Sequence, residues 1–494
     1  MKNKIVVAEA TSTAFNYLED IRAIGYEPVI LEAYLPDGYL KKMLDEERRI
    51  KYSHIKYPIT ILKEDPDYAV TLRMIRELDP LLVIAGAEPG VVIGTHLADD
   101  LGMTGTPYAN IANMTQKSAM HQCLKKAGLR YIRGAEVKSW EDCLKFLEET
   151  GIEDVVLKHD RGAFSVGVHL VHGRDELKAA FEEERSAANI TFVTDTRFLL
   201  QERIFGTEYI VNTISREGIP ALTSVFKYYK KRTPSGAIIY RGDGSVNDPT
   251  NEEKELIDYA LKAVCALGIT DGPVHGEYMI DKNGPVLIEA NCRVMGSSAP
   301  SGFLDKVFGY HETEVILNSM LDKEYHRKFL QRPYKPLRKG YVKDFSASCD
   351  QPISSSGIVP ILLGMKSFYS GWVENAGRTD MLHETVDLET ETGCIYMVHD
   401  DPEVIEREFE MLMYIEDNYP KLFQSDEPLF LPPEDASRIT PEIESVLNED
   451  TEVLISRIMS WYKAGAQGES VVPEALLEAS PYNRRIMELL RSFC

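Results

Sequence analysis

The chain has 494 residues, too many for one hydrophobic core, so about two to four domains are expected. With 44% hydrophobic and 27% charged residues, the composition is that of a globular protein and excludes a fibrous or disordered one. The 78 acidic residues outnumber the 55 Lys and Arg and give a formal net charge of −23, which argues against binding to nucleic-acid backbones or anionic membranes.

No apolar run approaches the roughly 20 residues of a membrane span, and the amino terminus lacks the apolar stretch of a secretory signal. The seven cysteines are scattered, and none belongs to a Cys-x-x-Cys pair. Such spacing favours reduced thiols over a disulfide framework or a zinc site. We therefore expect a cytoplasmic protein that binds neither nucleic acid nor membranes and uses no catalytic cysteine.

The first 115 residues alternate strand-like and helix-like segments, which predicts a Rossmann-like α/β domain with a parallel sheet. The predicted elements are a strand at 4–9, a helix at 14–24, strands at 28–32 and 81–87, and a helix from the turn Glu88-Pro89-Gly90 to residue 100. The first strand-to-helix turn, Ala10-Thr11-Ser12, lacks the glycines of a dinucleotide-binding loop. We expect this domain to be a scaffold that also contributes one wall of a cleft.

From residue 113 the character of the chain changes towards an α+β pattern. The predicted elements are a helix at 115–127, a strand at 154–158, a turn-rich loop at 160–167, strands at 198–204 and 209–214, a helix at 251–267, a hairpin around Asn283-Gly284, a strand-and-loop region at 339–392 and a helix at 402–415. Gly128 is a typical residue just after a helix, and Asp401 a typical helix cap. The acidic, proline-containing stretch 425–494 is predicted as a peripheral helical appendage.

The predicted hairpin carries the most informative pattern. Side chains alternate between the two faces of a strand. The even positions from 286 to 292 are apolar, whereas the odd positions from 289 to 293 are Glu289, Asn291 and Arg293. Three polar groups on one face of a strand with an apolar back indicate a site, although an exposed hairpin whose polar face meets water is the alternative.

The register of the hairpin decides where Glu277 lies. A two-residue Asn283-Gly284 turn would pair Glu277 with Ala290 and separate it from Glu289. A three-residue loop at 282–284, with Gly284 in the left-handed conformation, or an equivalent bulge, sets Glu277 opposite Glu289.

Directly opposed carboxylates repel each other unless a cation lies near them. A hard divalent cation such as Mg²⁺ fits, because it takes carboxylate oxygens and leaves positions for water and phosphate. Asn291 offers an amide oxygen to the same ion. Arg293 can donate two hydrogen bonds to a phosphoryl group.

Residues that could hold phosphate lie upstream. Lys158 ends an apolar strand and precedes a loop of small residues that includes Ser165. The backbone N–H groups of such a loop can wrap a phosphate. Lys117, at the start of a helix, is a weaker candidate. Each could also be an ordinary surface lysine.

Nucleotide contacts are also possible beside the segment 201–204, which joins two strands. Its backbone groups can bond an adenine edge near Gln201 and Glu202, and Glu208 can bridge ribose hydroxyls. Taken singly, either glutamate is as well explained as a solvated charge.

These motifs, taken in order, resemble the ATP-grasp superfamily over residues 113–424. Within it, the chain is most similar to carboxylate–amine ligases that join two L-amino acids, the bacilysin-synthetase type. The matching pieces are Lys117 with its helix, Val155-Val156-Leu157-Lys158, the loop 162–167, Leu200-Gln201-Glu202, Gly206-Thr207-Glu208-Tyr209, His275-Gly276-Glu277 and Glu289-Ala290-Asn291-Cys292-Arg293.

The resemblance implies an α/β and α+β architecture with an N-terminal pre-ATP-grasp domain at 1–115. It implies a two-lobed ATP-grasp core at 116–330, with a small lobe at about 116–200 and a large lobe at about 201–330. A further part of the region would follow at 331–424, and the appendage at 425–494.

The resemblance also implies roles for single residues. The phosphates of ATP would be bound by Lys117, Lys158 and Ser165. Its adenine would be bound by Gln201 and Glu202, and its ribose by Glu208. Magnesium would be ligated by Glu277, Glu289 and Asn291. Two Mg²⁺ ions are expected, for which Mn²⁺ can substitute. Arg293 would be catalytic and steady the transferring phosphoryl group. A substrate carboxylate would attack the γ-phosphorus to give an acyl phosphate, which an amine then converts to an amide, without a covalent enzyme intermediate.

Two departures concern the loops. Phe164 stands where a glycine is common, which would either stiffen the phosphate cover or bring it into contact with substrate. Gly296, Ser297 and Ser298 replace a doubled glycine in a region that walls the acyl-substrate pocket of similar ligases, so we expect room there for a sizeable side chain. His275 either orients substrate in this pocket or is a hydrogen-bonded structural histidine.

Small-molecule carboxylates and amines, above all amino acids, are thus the expected substrates, and a homodimer is an open option. Two other functions remain alternatives. One is a carboxylase or purine-pathway reaction of the same superfamily, and the other is a nucleotide-binding scaffold without catalysis.

Overall fold

The computed structural model describes residues 2–160, 167–186, 198–233, 238–347, 350–352, 362, 365–373, 381–386, 390–418 and 429–431. The chain divides into two units, one formed by Met1–Lys227 with Asp248–Lys335 and the other by Tyr228–Asn247 with Pro336–Cys494. Within the described ranges, every helix is too short or too polar to cross a membrane.

The first unit begins with the predicted parallel sheet. Its strands are β1 (Lys4–Ala8), β2 (Glu27–Glu32), β3 (Thr60–Lys63) and β4 (Leu82–Ala85), arranged in the order β3-β2-β1-β4 with parallel pairs. Its helices are α1 (Tyr17–Ala23), α2 (Tyr39–Ser53), α3 (Tyr68–Leu78) and α4 (Gly90–Asp100), with short 3-10 turns at Ser12–Asn16 and Tyr108–Asn110. Strands β1, β2 and β4 are almost wholly buried, which explains their unbroken apolar runs.

Two predicted helices differ from those observed. The helix predicted at 14–24 starts as the 3-10 turn and becomes α-helical only at Tyr17. The helix predicted at 115–127 is two helices, α5 (Ile111–Thr115) and α6 (Lys117–Lys126), because Gln116 between them has an extended backbone. As a result, Lys117 is the first residue of α6.

A second, antiparallel sheet follows in the order β5-β8-β6-β7. Its elements are β5 (Gly134–Val137), α7 (Trp140–Thr150), β6 (Asp154–His159), β7 (His169–His172), α8 (Gly173–Ser186) and β8 (Phe198–Glu202). Both helices pack on the sheet through a core that includes Phe146, Leu157 and Phe181. The strand predicted at 198–204 is β8, which ends at Glu202, two residues earlier than predicted.

Four further strands of the first unit are antiparallel neighbours in the order β13-β12-β9-β10. The elements of this region are β9 (Thr207–Arg216), β10 (Ile219–Arg232), α9 (Asn251–Leu267), β12 (Gly272–Asp281), β13 (Gly284–Asn291), α10 (Ser301–Phe308), α11 (Glu312–Leu321) and α12 (Lys323–Leu330). Helix α9 has the predicted bounds, because a Thr250–Glu253 capping box starts it and the left-handed Gly268 ends it.

In the second unit, β11 (Ile238–Ser245) is followed by neighbouring strands in the order β11-β14-β18-β16-β19, and β15 pairs with β17. The further elements are β14 (Lys339–Phe345), β15 (Gln351–Pro352), β16 (Phe368–Val373), β17 (Met381–Leu382), β18 (Gly393–His399), α13 (Pro402–Asn418) and β19 (Leu429–Leu431). Helix α13 begins at Pro402 as predicted, with Asp401 accepting from the Glu403 N–H at 2.9 Å. The predicted appendage lies outside the described residues except for β19, which is a strand.

Candidate functional site

The β12–β13 hairpin pairs Glu277 directly with Glu289, as predicted. The predicted three-residue loop is wrong, however, because the turn has two residues, Lys282 and Asn283. A β-bulge at Ile288 shifts the register by one residue just before Glu289. This is the bulge that was predicted as the alternative to the longer loop, and both glutamates lie on the same face of the sheet.

Two lysines are held near this hairpin by Asp160. The Asp160 carboxylate accepts hydrogen bonds from the backbone N–H and the hydroxyl of Ser118, both at 2.7 Å. The Asp160 carbonyl accepts from the Lys117 N–H at 3.3 Å. These bonds join the start of α6, which carries Lys117, to the end of β6, which carries Lys158.

The Lys117 ammonium forms an ion pair with Glu289 at 2.9 Å, with 8% and 19% of the two side chains exposed. Lys158 is also buried. Burial lowers the pKa of Lys158 to about 8, and the charge of Lys117 lowers it too, whereas Glu289 and Glu277 raise it. Two cations and two anions thus interact within one buried site.

Arg293, just after β13, contacts Glu88, for which the sequence predicts only a place in a turn. Its Nε lies 3.3 Å from a carboxylate oxygen of Glu88, and its NH1 donates to the Val294 carbonyl at 3.1 Å. Burial raises the pKa of Glu88, while the charge of Arg293 lowers it. Glu88 follows β4, and the carboxyl end of a parallel strand is a usual place for site residues, which is the signal that could have identified it.

His275 and Asn291 are paired across the hairpin on the face that carries Glu277 and Glu289. Both are buried. The His275 Nδ1 is 2.9 Å from the amide oxygen of Asn212, and its Nε2 is 3.6 Å from a Glu277 carboxylate oxygen. His275 is therefore a hydrogen-bonded buried histidine that also borders the carboxylate pair.

The candidate nucleotide residues lie on two strands. Gln201 on β8 is buried, and its Nε2 has no hydrogen-bond partner within the described part of the chain. The Glu202 carboxylate accepts hydrogen bonds from the backbone N–H of Arg133 at 2.9 Å and from the Arg133 guanidinium at 2.7 Å. Glu208 on β9 is paired with Met279, which places it on the same face as Glu277. Ser165 lies outside the described residues.

These elements follow the order of motifs of one protein family. The model of the ATP-grasp domain matches residues 152–301, which include Lys158 and the whole hairpin. The chain has an ATP-grasp domain. Its fold is the mixed α/β architecture that the sequence predicts, with a parallel N-terminal sheet before the two antiparallel sheets of the domain.

Three further comparisons extend the similarity beyond this range. Dapdiamide A synthase of Enterobacter agglomerans is 24% identical over 437 residues, which cover 86% of this chain and 99% of that protein. Alanine–anticapsin ligase of Bacillus subtilis (strain 168) is 27% identical over 238 residues, 44% of this chain and 49% of that protein. The crystal structure of an L-amino acid ligase from Bacillus licheniformis superposes with a TM-score of 0.65 at 17% identity, over 84% of this chain and 97% of that one.

The donor atoms of this ATP-grasp domain fit a magnesium nucleotide. The carboxylates of Glu277 and Glu289, with the Asn291 amide next to them, are the oxygen ligands that Mg²⁺ prefers. The orphaned Nε2 of Gln201 is a buried donor that a nucleotide acceptor would satisfy.

The segment that replaces the doubled glycine is held by the 3-10 turn after β1. Ser297 and Ser298 have φ values of +66° and +54°, which are left-handed conformations that serine rarely adopts. The Thr13 hydroxyl donates to the Gly296 carbonyl at 2.5 Å and accepts from the Ala299 N–H at 3.1 Å. The first turn after β1 thus holds the predicted pocket wall, a role of Thr13 that no pattern in the sequence indicated.

Proposed function

We propose that this protein is an ATP-dependent, ADP-forming carboxylate–amine ligase. The observation that carries the proposal is that Glu277 and Glu289 lie opposite each other and that the Lys117 ammonium forms an ion pair with Glu289. Opposed carboxylates beside buried lysines suit a reaction that gathers metal ions and phosphates, since each charge in the site then has an opposite charge to meet.

The residues take the roles that their positions favour. Lys117 and Lys158 neutralise ATP phosphates. Glu277, Glu289 and Asn291 would hold two magnesium ions, for which manganese can substitute. Magnesium, when bound, would neutralise charge on the phosphates and help to orient them. Arg293, oriented by Glu88, stabilises charge on the transferring phosphoryl group.

Adenine is placed beside Gln201 and the backbone at Glu202, because the Glu202 carboxylate is already bonded to Arg133. Glu208 is proposed to bond the ribose, and Ser165 a phosphate.

The reaction proceeds in two displacements. An oxygen of the substrate carboxylate forms a bond to the γ-phosphorus, and the bond to ADP breaks, which leaves an acyl phosphate. The amine nitrogen then bonds to the acyl carbon, phosphate leaves with the electron pair of the broken C–O bond, and the nitrogen loses a proton. The side chains position reactants and stabilise charge, and none needs to become covalently bonded.

Amino acids are the proposed substrates for both displacements. Dapdiamide A synthase aligns over nearly its whole length, and the names of alanine–anticapsin ligase and of the L-amino acid ligase from Bacillus licheniformis specify an amino acid as a compound that those enzymes join. The proposed pocket for the acyl substrate is formed by Gly296, Ser297 and Ser298, beside His275. The scattered cysteines favour the cytoplasm as the location.

The test is release of ADP and phosphate from magnesium ATP in three reactions, with pooled amino acids, with bicarbonate and with neither. Release that depends on amino acids, with a product mass equal to two amino acids less one water, is expected. Release that depends on bicarbonate would instead indicate a carboxylase or purine-pathway type of reaction. ATP binding without any turnover would indicate an inactive scaffold.

A further inference from the structure

A carboxylate on α8 joins two histidines that flank the predicted phosphate loop at 160–167. The Glu184 Oε2 lies 3.1 Å from the His159 Nε2, and its Oε1 lies 2.8 Å from the His169 Nε2. His159 is the last residue of β6, directly before the loop, and His169 is the first residue of β7, just after it. We call these three residues the Glu184 clasp, since one carboxylate holds the strands on both sides of the loop.

The clasp lies on the face of the sheet opposite to Lys158. His169 is paired with Leu157, which belongs to the core that α8 covers, and His159 faces the same way because it is two residues from Leu157. Lys158 lies between Leu157 and His159 in the chain and therefore points to the other face, where the charge of Glu289 acts on it. A displacement of His159 would consequently be passed on to Lys158 through a single peptide unit.

Gly167, the last residue of the loop, packs directly against the clasp. Its φ of +69° lies in the left-handed region, which favours glycine. A Cβ atom at this position would lie 3.0 Å from Cδ2 of His159 and 3.1 Å from Oε2 of Glu184, closer than normal van der Waals contact. The clasp thus leaves room for a glycine but not for a larger residue, so the end of the loop and the clasp fit each other.

The stability of α8 does not by itself explain the position of Glu184. The residue lies in the last turn of this helix, where the helix dipole disfavours a negative charge. Its side chain is only 12% exposed, and burial of a carboxylate also costs free energy. The hydrogen bonds from His159 and His169 nevertheless lower the pKa of Glu184 to about 2. A carboxylate that stays ionised in this place is explained by the two histidines that it holds.

The clasp complements the bonds of Asp160, the first residue of the loop. Asp160 is bonded to Ser118 on α6, whereas the clasp joins His159 and the strand that follows Gly167 to α8. Residues 161–166 lie outside the described residues. Both ends of the loop are thus tied to helices in the protein without ligand, and such preorganisation favours binding because less ordering is needed when the ligand arrives.

We propose that Glu184 is a positioning residue for ATP, which acts through His159 and His169 to hold the ends of the predicted phosphate loop and the direction of Lys158 towards the phosphates. The inference rests on the proposed function for the identity of the nucleotide. It concerns the binding of phosphates rather than their transfer, so it can be tested without turnover.

The test compares the affinities of the full-length protein for magnesium ATP and for adenosine, which has the base and the sugar but no phosphate, by isothermal titration. In Glu184→Gln the side chain keeps its shape but has one acceptor oxygen instead of two, so one histidine loses its bond. We expect ATP affinity to fall about tenfold, as for one lost hydrogen bond to a charged group, and adenosine affinity to stay within about twofold. Glu184→Ala removes both bonds and should lower ATP affinity further.

Two more variants make the comparison specific. Glu183→Gln is the matched control, because Glu183 is the exposed neighbour of Glu184 on the same helix, and both affinities should equal those of the wild type. His169→Phe keeps a ring but removes one bond of the clasp, so it should lower ATP affinity about as much as Glu184→Gln. Adding Glu184→Gln to His169→Phe should then have little effect, because the remaining amide oxygen can still accept from His159.

An unchanged ATP affinity in Glu184→Gln would overturn the inference. Equal losses for ATP and adenosine would also overturn it, because they would show a general loosening of the fold, and so would fully additive effects of Glu184→Gln and His169→Phe.

Failure of the proposed function would look different, because it would be seen in the wild type. A wild type that binds ATP but releases no phosphate with amino acids would contradict the ligase, whereas the effect of Glu184→Gln on ATP affinity would still stand. A wild type that binds no ATP would overturn both.

Discussion

The Lys117 ammonium lies 2.9 Å from a carboxylate oxygen of Glu289, although the two residues belong to a helix and a strand far apart in the chain. This ion pair explains how Glu277 and Glu289 can face each other in the protein without metal, since one of the two negative charges is already balanced. It also ties α6 to the hairpin, so the lysine end and the carboxylate end of the site are held together before any ligand binds.

Replacing Glu289 with alanine should abolish turnover, with a loss of about 100-fold or more, because a proposed metal ligand is removed. We also expect a loss of stability, roughly 2 kcal/mol, because buried Lys117 loses its partner while Lys158 stays nearby. Phosphate release and denaturant unfolding would measure the two effects.

Two variants make the Glu289→Ala experiment specific. The double variant Lys117→Met, Glu289→Ala should regain stability but not activity, since no charge is then left unpaired. The exposed Glu255 on α9, changed to alanine, is the control and should match the wild type. Wild-type phosphate release in Glu289→Ala would show that the site is assigned wrongly.

Changing Glu88 to glutamine removes the charge that holds Arg293 while keeping the shape of the side chain. We expect kcat to fall about tenfold to 100-fold with little change in the KM for ATP, because Arg293 acts on the transferring group. Steady-state kinetics would measure both constants, with the exposed Glu77→Gln as control. An unchanged kcat would mean that Arg293 is oriented without Glu88.

ATP binding should depend on pH through Lys158. Because the pKa of Lys158 is lowered to about 8, the ammonium is charged below that pH and is progressively lost above it. ATP affinity should therefore fall as pH rises through this value. Bound phosphate favours the charged form, so ATP binding above this pH should also take up protons.

Isothermal titration in buffers of different ionisation enthalpy measures this proton uptake. Lys158→Arg keeps a permanent charge, so its ATP affinity should be nearly constant over the same range and its binding should take up fewer protons. The assignment fails if the wild type and Lys158→Arg take up the same number of protons.

Thr13→Val should disturb the pocket wall at 296–299 without touching the nucleotide site. It removes two hydrogen bonds that hold a segment in which Ser297 and Ser298 are strained. We expect the KM for the carboxylate substrate to rise about tenfold, and the KM for ATP to stay the same. Thr95→Val, a buried substitution on α4, is the control for general destabilisation; equal effects of both would argue against the pocket assignment.

Local patterns in the sequence were enough for helix α9 and for the polar face of the hairpin. The bounds of α9 follow from a cap and a glycine within the helix's own flanks, and the side-by-side placement of Glu289 and Asn291 follows from the period of two in a strand. The parallel pairing in the first sheet was likewise predicted, because alternating strands and helices favour a parallel sheet.

Tertiary structure alone decided which distant residues meet. The bulge at Ile288, rather than the loop, sets the register that makes Glu277 face Glu289. The contacts of Glu88 with Arg293 and of Lys117 with Glu289 depend on how whole sheets and helices pack, since packing brings together side chains whose separation along the chain carries no period. The sequence by itself therefore determined which side chains share a face, and packing determined what each of them faces.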